Sequence, residues 1–285
     1  MSATSPLTPE AIERGYNNRA AVSDHQQWLD QFVARSESAR ETLRPTQDIR
    51  FGSGPKETLD LFVPASPARG TLCFIHGGWW RSLDKSDHAF VAPAFVAAGY
   101  AVALVNYDLC PTVTIATIVE QCRHAVLWLM REGPVRGAPT PVVIGGHSAG
   151  GHLTAMMYAT NWRGRGLSQT PFAAGFSLSG VHDLGPLVHF SHNVDFRFDD
   201  AEARRLSPVD RQPLTDAPLL LAVGADETSE FVRQTDLLWD AWPQNHPPGA
   251  QAPLRIANRH HYSVVLDYCD PASLLTQATL ALFPR

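Results

Sequence analysis

Short apolar runs alternate along most of the chain with longer segments whose apolar positions recur at helical spacing. From residue 70 onward, the runs 71–75, 101–106, 141–145, 173–178, 219–223 and 254–257 read as strands. The segments 86–98, 114–131, 149–160, 229–241 and 272–282 read as helices. Continuous apolar runs suit strands covered on both faces, as in a parallel sheet. The alternation therefore predicts an α/β fold: a doubly wound, mostly parallel sheet with helices on both faces. Ahead of it, residues 9–43 are polar, with apolar positions at Ile12, Tyr16, Trp28, Phe32 and Val33. That spacing predicts one or two amphipathic helices. Strand-like stretches flank Gly52-Ser53-Gly54-Pro55 within 49–63, which predicts a hairpin. Residues 184–216, rich in His, Asp and Arg, interrupt the alternation between two strands and read as an excursion over the sheet's carboxyl edge. Residues 243–253 read as a surface loop. The expected organisation is an N-terminal helical segment, 1–45, packing on a main domain, 46–285, with a cap-like excursion near 184–216.

Composition narrows the function classes. Of 285 residues 44 % are hydrophobic and 18 % charged, the balance of a soluble globular protein. A net charge of −5 gives no footprint for nucleic acid or an anionic membrane. The first residues lack the basic and apolar regions of a secretory signal, and no apolar run approaches the roughly 18 residues of a membrane span. Four scattered cysteines, Cys73, Cys110, Cys122 and Cys269, predict reduced thiols in a cytoplasmic protein. Neither cofactor nor metal is expected. The 12 histidines include no H-E-x-x-H, and His182, His189 and His192 are irregularly spaced. The partner expected is a small-molecule substrate, and homodimerisation is left open.

The sharpest motif is Gly146-His147-Ser148-Ala149-Gly150, a G-x-S-x-G between an apolar run and a helix-forming segment. Such a serine sits on a tight strand-to-helix turn with its hydroxyl exposed above the sheet. Alone, the pattern also fits an ordinary glycine turn; the strand and helix around it make Ser148 the expected nucleophile. Upstream, Cys73-Phe74-Ile75-His76-Gly77-Gly78-Trp79-Trp80-Arg81 places His-Gly-Gly after another apolar run, as in the loops that aim amides at a developing oxyanion. The expected donors are the N–H groups of Gly78, Trp79 and Ala149. Gly77 is expected to shape the turn, and His76 to hold the loop rather than act as a base. His147 and His152 read as structural.

A serine hydroxyl needs a base, and the base a carboxylate that orients it. In the α/β-hydrolase fold these follow the serine in the order acid, then histidine. Asp226, after the run 219–223, stands where ligand sites occur in open α/β sheets and is the expected acid. Its neighbour Glu227 and the earlier Asp183 are the other candidates. The base falls at His260 or His261, in Arg259-His260-His261-Tyr262, and the pattern alone does not choose between them.

Together these residues resemble the kynurenine formamidases (arylformamidases) among the α/β-hydrolases. Their HGGxW motif is matched by His76-Gly77-Gly78-Trp79-Trp80. Similar stretches are Val105–Pro111, the Gly151-His152-Leu153 that follows the serine motif, Leu178–Leu184, Ala203–Pro208 and Gly15-Tyr16-Asn17-Asn18-Arg19. The resemblance spans residues 10–283. The family's catalytic histidine precedes an aromatic residue, which implies His261, before Tyr262, as the base. Two positions depart from the family: Trp79 stands where Tyr is usual and His182 where an aromatic is expected. With Trp80 and Tyr262 they are expected to line the substrate pocket. The resemblance implies hydrolysis of the N-formyl amide of N-formyl-L-kynurenine or a similar aryl formamide. The alternative is a carboxylesterase for small acyl or aryl esters.

Overall fold

The computed structural model describes residues 8–168 and 170–284. Eight strands form one sheet: β1 (Thr46–Arg50), β2 (Thr58–Phe62), β3 (Thr71–Ile75), β4 (Ala101–Val105), β5 (Val142–His147), β6 (Ala174–Leu178), β7 (Leu219–Gly224) and β8 (Leu254–Ile256). Their spatial order is β1-β2-β4-β3-β5-β6-β7-β8. β1 and β2 make the antiparallel hairpin, β2 runs antiparallel to β4, and every later pairing is parallel. The central strands β3, β4 and β5 are buried along their whole length. Successive side chains of β3 face opposite ways: Cys73 and Ile75 enter one core, Leu72 and Phe74 the other. Apolar residues at every position follow from that double covering.

Ten α-helices are described: α1 (Pro9–Tyr16), α2 (Asn18–Ala21), α3 (His25–Leu43), α4 (Ala92–Ala97), α5 (Ile115–Glu132), α6 (Ala149–Tyr158), α7 (Asn193–Phe196), α8 (Asp200–Leu206), α9 (Ser229–Ala241) and α10 (Leu274–Leu280). Helices α5, α6 and α9 bury Ile118, Leu153 and Phe231 in the first core, whereas α3, α4 and α10 bury Phe32, Phe95 and Leu275 in the second. Thr114 caps α5 by accepting the Thr117 N–H, and Ser273 caps α10 by accepting that of Thr276; each satisfies a donor that a helix start otherwise leaves unpaired.

The helix expected over 86–98 divides. Lys85–Val91 is a 3₁₀ segment, and α4 begins only at Ala92. Pro93 has no N–H to give to a preceding turn and is tolerated only at a helix start. The stretch 184–216 contains α7, α8 and two 3₁₀ turns, and its Phe190 and Phe196 pack on Trp79.

The N-terminal helices straddle the sheet. α1 buries Ile12 and Tyr16 in the first core, while α3 buries Phe32 and Ala39 in the second. Tyr16 Oη accepts hydrogen bonds from Gln234 Nε2 at 2.7 Å and Arg233 Nη2 at 3.1 Å, which docks α1 on α9. The connection through Asn17, Asn18 and Arg19 consequently crosses from one side of the sheet to the other.

Candidate active site

Ser148 stands between β5 and α6 at φ 57°, ψ −119°, a conformation costly for any residue with a side chain. Its N–H is tied to Leu178 O at 2.8 Å. The turn is tight enough that a Cβ on Gly150 would sit 2.0 Å from Ile75 O. Position 150 therefore accepts only glycine without moving β3 away from the turn.

The hydroxyl of Ser148 lies 3.0 Å from His261 Nε2, and His261 Nδ1 lies 2.6 Å from Glu227 Oε2. The imidazole thus carries its proton on Nδ1, donates it to the carboxylate, and offers the Nε2 lone pair to the serine. Glu227 has a fully buried side chain. Its other oxygen, Oε1, accepts the Ser179 hydroxyl at 2.5 Å and the Gly224 N–H at 2.9 Å. Three donors converge on one buried carboxylate and keep it in place, with no lysine or arginine within ion-pair distance of it among the described residues.

Glu227, rather than the expected Asp226, therefore contacts the histidine. The Asp226 N–H is bound to Arg259 O at 3.0 Å, and its side chain is exposed. One residue further on, the longer glutamate side chain reaches back under the end of β7. Asp183 is committed to Arg233. Of the two histidines, His260 faces away: its Nδ1 accepts the Tyr262 and Ser263 amides, and its ring rests on Trp28, 4.8 Å between centroids.

The loop after β3 faces Ser148. The Gly78 carbonyl accepts three hydrogen bonds, from Arg81 N–H at 3.1 Å, Ser82 N–H at 3.0 Å and the Ser82 hydroxyl at 2.9 Å. That closure requires φ +108° at Gly78, where a Cβ would fall 2.0 Å from Ser82 O. Among the described residues the Gly78 and Trp79 amides have no acceptor. Ala149 is the first residue of α6, so its N–H has no partner within the helix. The three expected donors are thus unspent. His76 braces the loop, with Nδ1 on Gly77 O and Nε2 on Asn106 Oδ1 while its ring stacks on Tyr107.

A cavity of about 50 Å³ covers Ser148 and His261, walled by Gly78, Trp79, His147 and Tyr262 on one side and by Asn17–Arg19 on the other. Beyond it lies an outer basin of about 540 Å³; the two share Asn17, Arg19, Trp79, Ser82 and His192. A larger cavity, about 1010 Å³, is lined by Val142, Ala173 and Asp216 at the opposite, amino edge of the sheet, away from this chemistry.

Two expected pocket residues are not in the cavity wall. Trp80 is fully buried, edge-on to His152 and Phe196. His182 is buried behind β6, with Nε2 3.2 Å from Ser177 Oγ. The two indoles touch edge to face, 5.7 Å between centroids, with Trp80 on the buried side, so only the Trp79 ring meets the opening. Trp79 is packed by Phe190 and Phe231 at 5.3 and 6.0 Å between centroids. His147, 4.6 Å from the His261 ring, is driven well below the ordinary histidine range, first by burial and then by the His261 charge. It therefore stays neutral beside the base.

Three residues at the site were not singled out in the sequence: Ser179, Asn18 and Arg19. Ser179 sits at φ 52° just after β6. It falls within the similar stretch Leu178–Leu184, but its role does not show there, because its partner lies 48 residues away. Asn18 and Arg19 fall within a stretch already noted as similar to the family.

An elbow serine, a histidine and a buried carboxylate at the carboxyl edge of a mostly parallel sheet make the chain a hydrolase of the α/β-hydrolase fold. A family model described as BD-FAE matches residues 59–188. A kynurenine formamidase of Salmo salar is 28 % identical over 88 % of this chain and 86 % of its own length, and one of Danio rerio is 27 % identical over the same shares. A solved structure from Silicibacter sp. TM1040, provisionally assigned as a thioesterase, is 30 % identical with a TM-score of 0.84, covering 94 % of this chain and 98 % of that one. Within the fold, the chain is similar over most of its length to curated kynurenine formamidases. Among the described residues, no helix is long and apolar enough to cross a membrane, and no group of three or more His, Cys, Asp or Glu is gathered as a metal site. The four cysteines are unpaired.

Proposed function

We propose that the chain is an arylformamidase that hydrolyses N-formyl-L-kynurenine, or a close aryl formamide, to formate and the free arylamine. Ser148 Oγ attacks the formyl carbon as His261 Nε2 takes its proton. Glu227, holding Nδ1, stabilises the imidazolium that results. The oxyanion is received by the Gly78, Trp79 and Ala149 amides; each such donor typically supplies about 3 kcal/mol. His261 then protonates the aryl nitrogen as the C–N bond breaks, because an arylamide anion is a poor leaving group. Water, deprotonated by His261, attacks the formyl ester, releases formate and restores Ser148. Unpaired cysteines favour a reducing, cytoplasmic setting for this reaction.

The carrying observation is the size of the space over Ser148. A formyl group has only hydrogen beyond its carbonyl, so it needs no acyl pocket. A cavity of about 50 Å³ suits it, and Trp79 beside it offers a face for the aryl ring. The test is formate release from N-formyl-L-kynurenine by the purified chain, abolished in Ser148→Ala. Turnover confined to short acyl esters would reject this substrate and leave a carboxylesterase.

A further inference from the structure

We infer that Asn18 and Arg19 form an anion subsite that binds the α-carboxylate of the amino-acid substrate while its formyl end lies at Ser148. This rests on the formamidase reading and adds to it the element that recognises the rest of the molecule. N-formyl-L-kynurenine carries its formamide at one end and, beyond an aryl ketone, a carboxylate at the other. The cavity over Ser148 is too small for the whole molecule, so the distal end must extend toward the basin.

Arg19 borders both spaces. Its side chain is exposed, and among the described residues no carboxylate lies within ion-pair distance of it. The other cation of the basin, Arg81, is paired with Asp195 at 2.8 Å. His192 is held below its ordinary range, by burial first and the Arg81 charge second. The nearby carboxylate of Glu13 already accepts the Asn17 amide at 2.7 Å. Of the two arginines that line the basin, Arg19 is therefore the one without an ion pair among the described residues.

Asn18 supplies the second, independent observation. It is 4 % exposed, lines the cavity over Ser148, and its Nδ2 has no hydrogen-bond partner among the described residues. A buried amide donor without an acceptor is costly, and an arriving carboxylate oxygen would relieve that cost. Two adjacent donors, with only the neutral Tyr262 hydroxyl beside Arg19, match a carboxylate better than a cationic group. The turn that presents them is rigid: Asn17 Oδ1 accepts the Ala20 N–H at 3.0 Å, and the preceding helix is docked through Tyr16.

The experiment compares kcat/KM for N-formyl-L-kynurenine with that for N-formyl-2-aminoacetophenone, which has the same aryl ketone but no carboxylate. In Arg19→Gln the ratio of the two is expected to fall about ten- to a hundredfold, mostly through KM, as for a lost charge-assisted hydrogen bond. Arg19→Lys should recover part of it, and added salt should lower the wild-type ratio. An unchanged ratio in Arg19→Gln would overturn the subsite, and equal losses on both substrates would show a purely structural role. Should the wild type hydrolyse neither formamide, the formamidase reading fails by itself. The subsite is then decided by 4-acetoxybenzoate against phenyl acetate: a wild-type preference for the anionic ester that Arg19→Gln removes sustains it, and no such preference refutes it.

Discussion

The hydroxyl of Ser179 lies 2.5 Å from Glu227 Oε1, the oxygen opposite the one that holds His261. A residue at the end of β6 thus fixes a carboxylate at the end of β7, and through it an imidazole beyond β8. Glu227→Gln is expected to lower kcat by about 10³- to 10⁴-fold, since the amide holds the wrong tautomer of the histidine. Asp226→Asn should stay within about twofold, as its side chain is exposed. Ser179→Ala removes one of three donors to Glu227 and should cost about tenfold in kcat with little change in KM. Steady-state kinetics on all three variants checks the order; Asp226→Asn falling furthest would refute this assignment of the acid.

The two neighbouring tryptophans should answer differently to truncation. Trp80 is completely buried, so Trp80→Ala is expected to cost about 3–5 kcal/mol of stability. Trp79 faces the cavity, so Trp79→Ala should chiefly raise KM for aryl formamides. Denaturant melts and substrate kinetics on both variants separate the effects; similar losses of stability in the two would contradict it.

Acid should destabilise the protein progressively from just below neutrality. Burial holds His76 down to about 3, His152 down to about 4 and His182 down to about 3. In the unfolded chain these histidines titrate near 6.5, so below that pH the unfolded chain binds more protons. Their contribution is complete above about pH 6.5 and is lost as pH falls toward their folded values. The slope is at most about 1.4 kcal/mol per pH unit for each histidine. Melting temperatures at pH 7, 6 and 5 should fall in that order, with net proton uptake on unfolding; a flat profile would exclude it.

Tyr16→Phe removes the acceptor for Gln234 and Arg233 and should loosen the docking of α1 by about 1–2 kcal/mol. Faster amide exchange over residues 9–21 and a higher KM are the expected readouts. Exchange matching the wild type would show that apolar packing alone holds the segment.

The sheet was legible because its strands are buried on both sides, which imprints continuous apolar runs such as 71–75 and 142–145 on the sequence. Ser148 and the Gly78 loop were legible for a similar reason: tight bends demand glycines at fixed spacing. The acid was not. Asp226 and Glu227 are adjacent, and the choice rests on an Arg259 carbonyl that turns one outward and on a Ser179 hydroxyl that receives the other. Both partners are distant in sequence, so no local pattern records them. The split of Trp79 from Trp80 likewise shows only in three dimensions.

The passage of Asn17–Arg19 over the serine has a consequence for how such a protein can change. The groups that break the bond and the groups that greet the incoming molecule lie on separate stretches of chain, linked mainly by the anchor at Tyr16. Substitutions in a handful of residues near the amino end could readdress the same hydrolytic apparatus to a different clientele, with the elbow, the imidazole and its carboxylate left as they are.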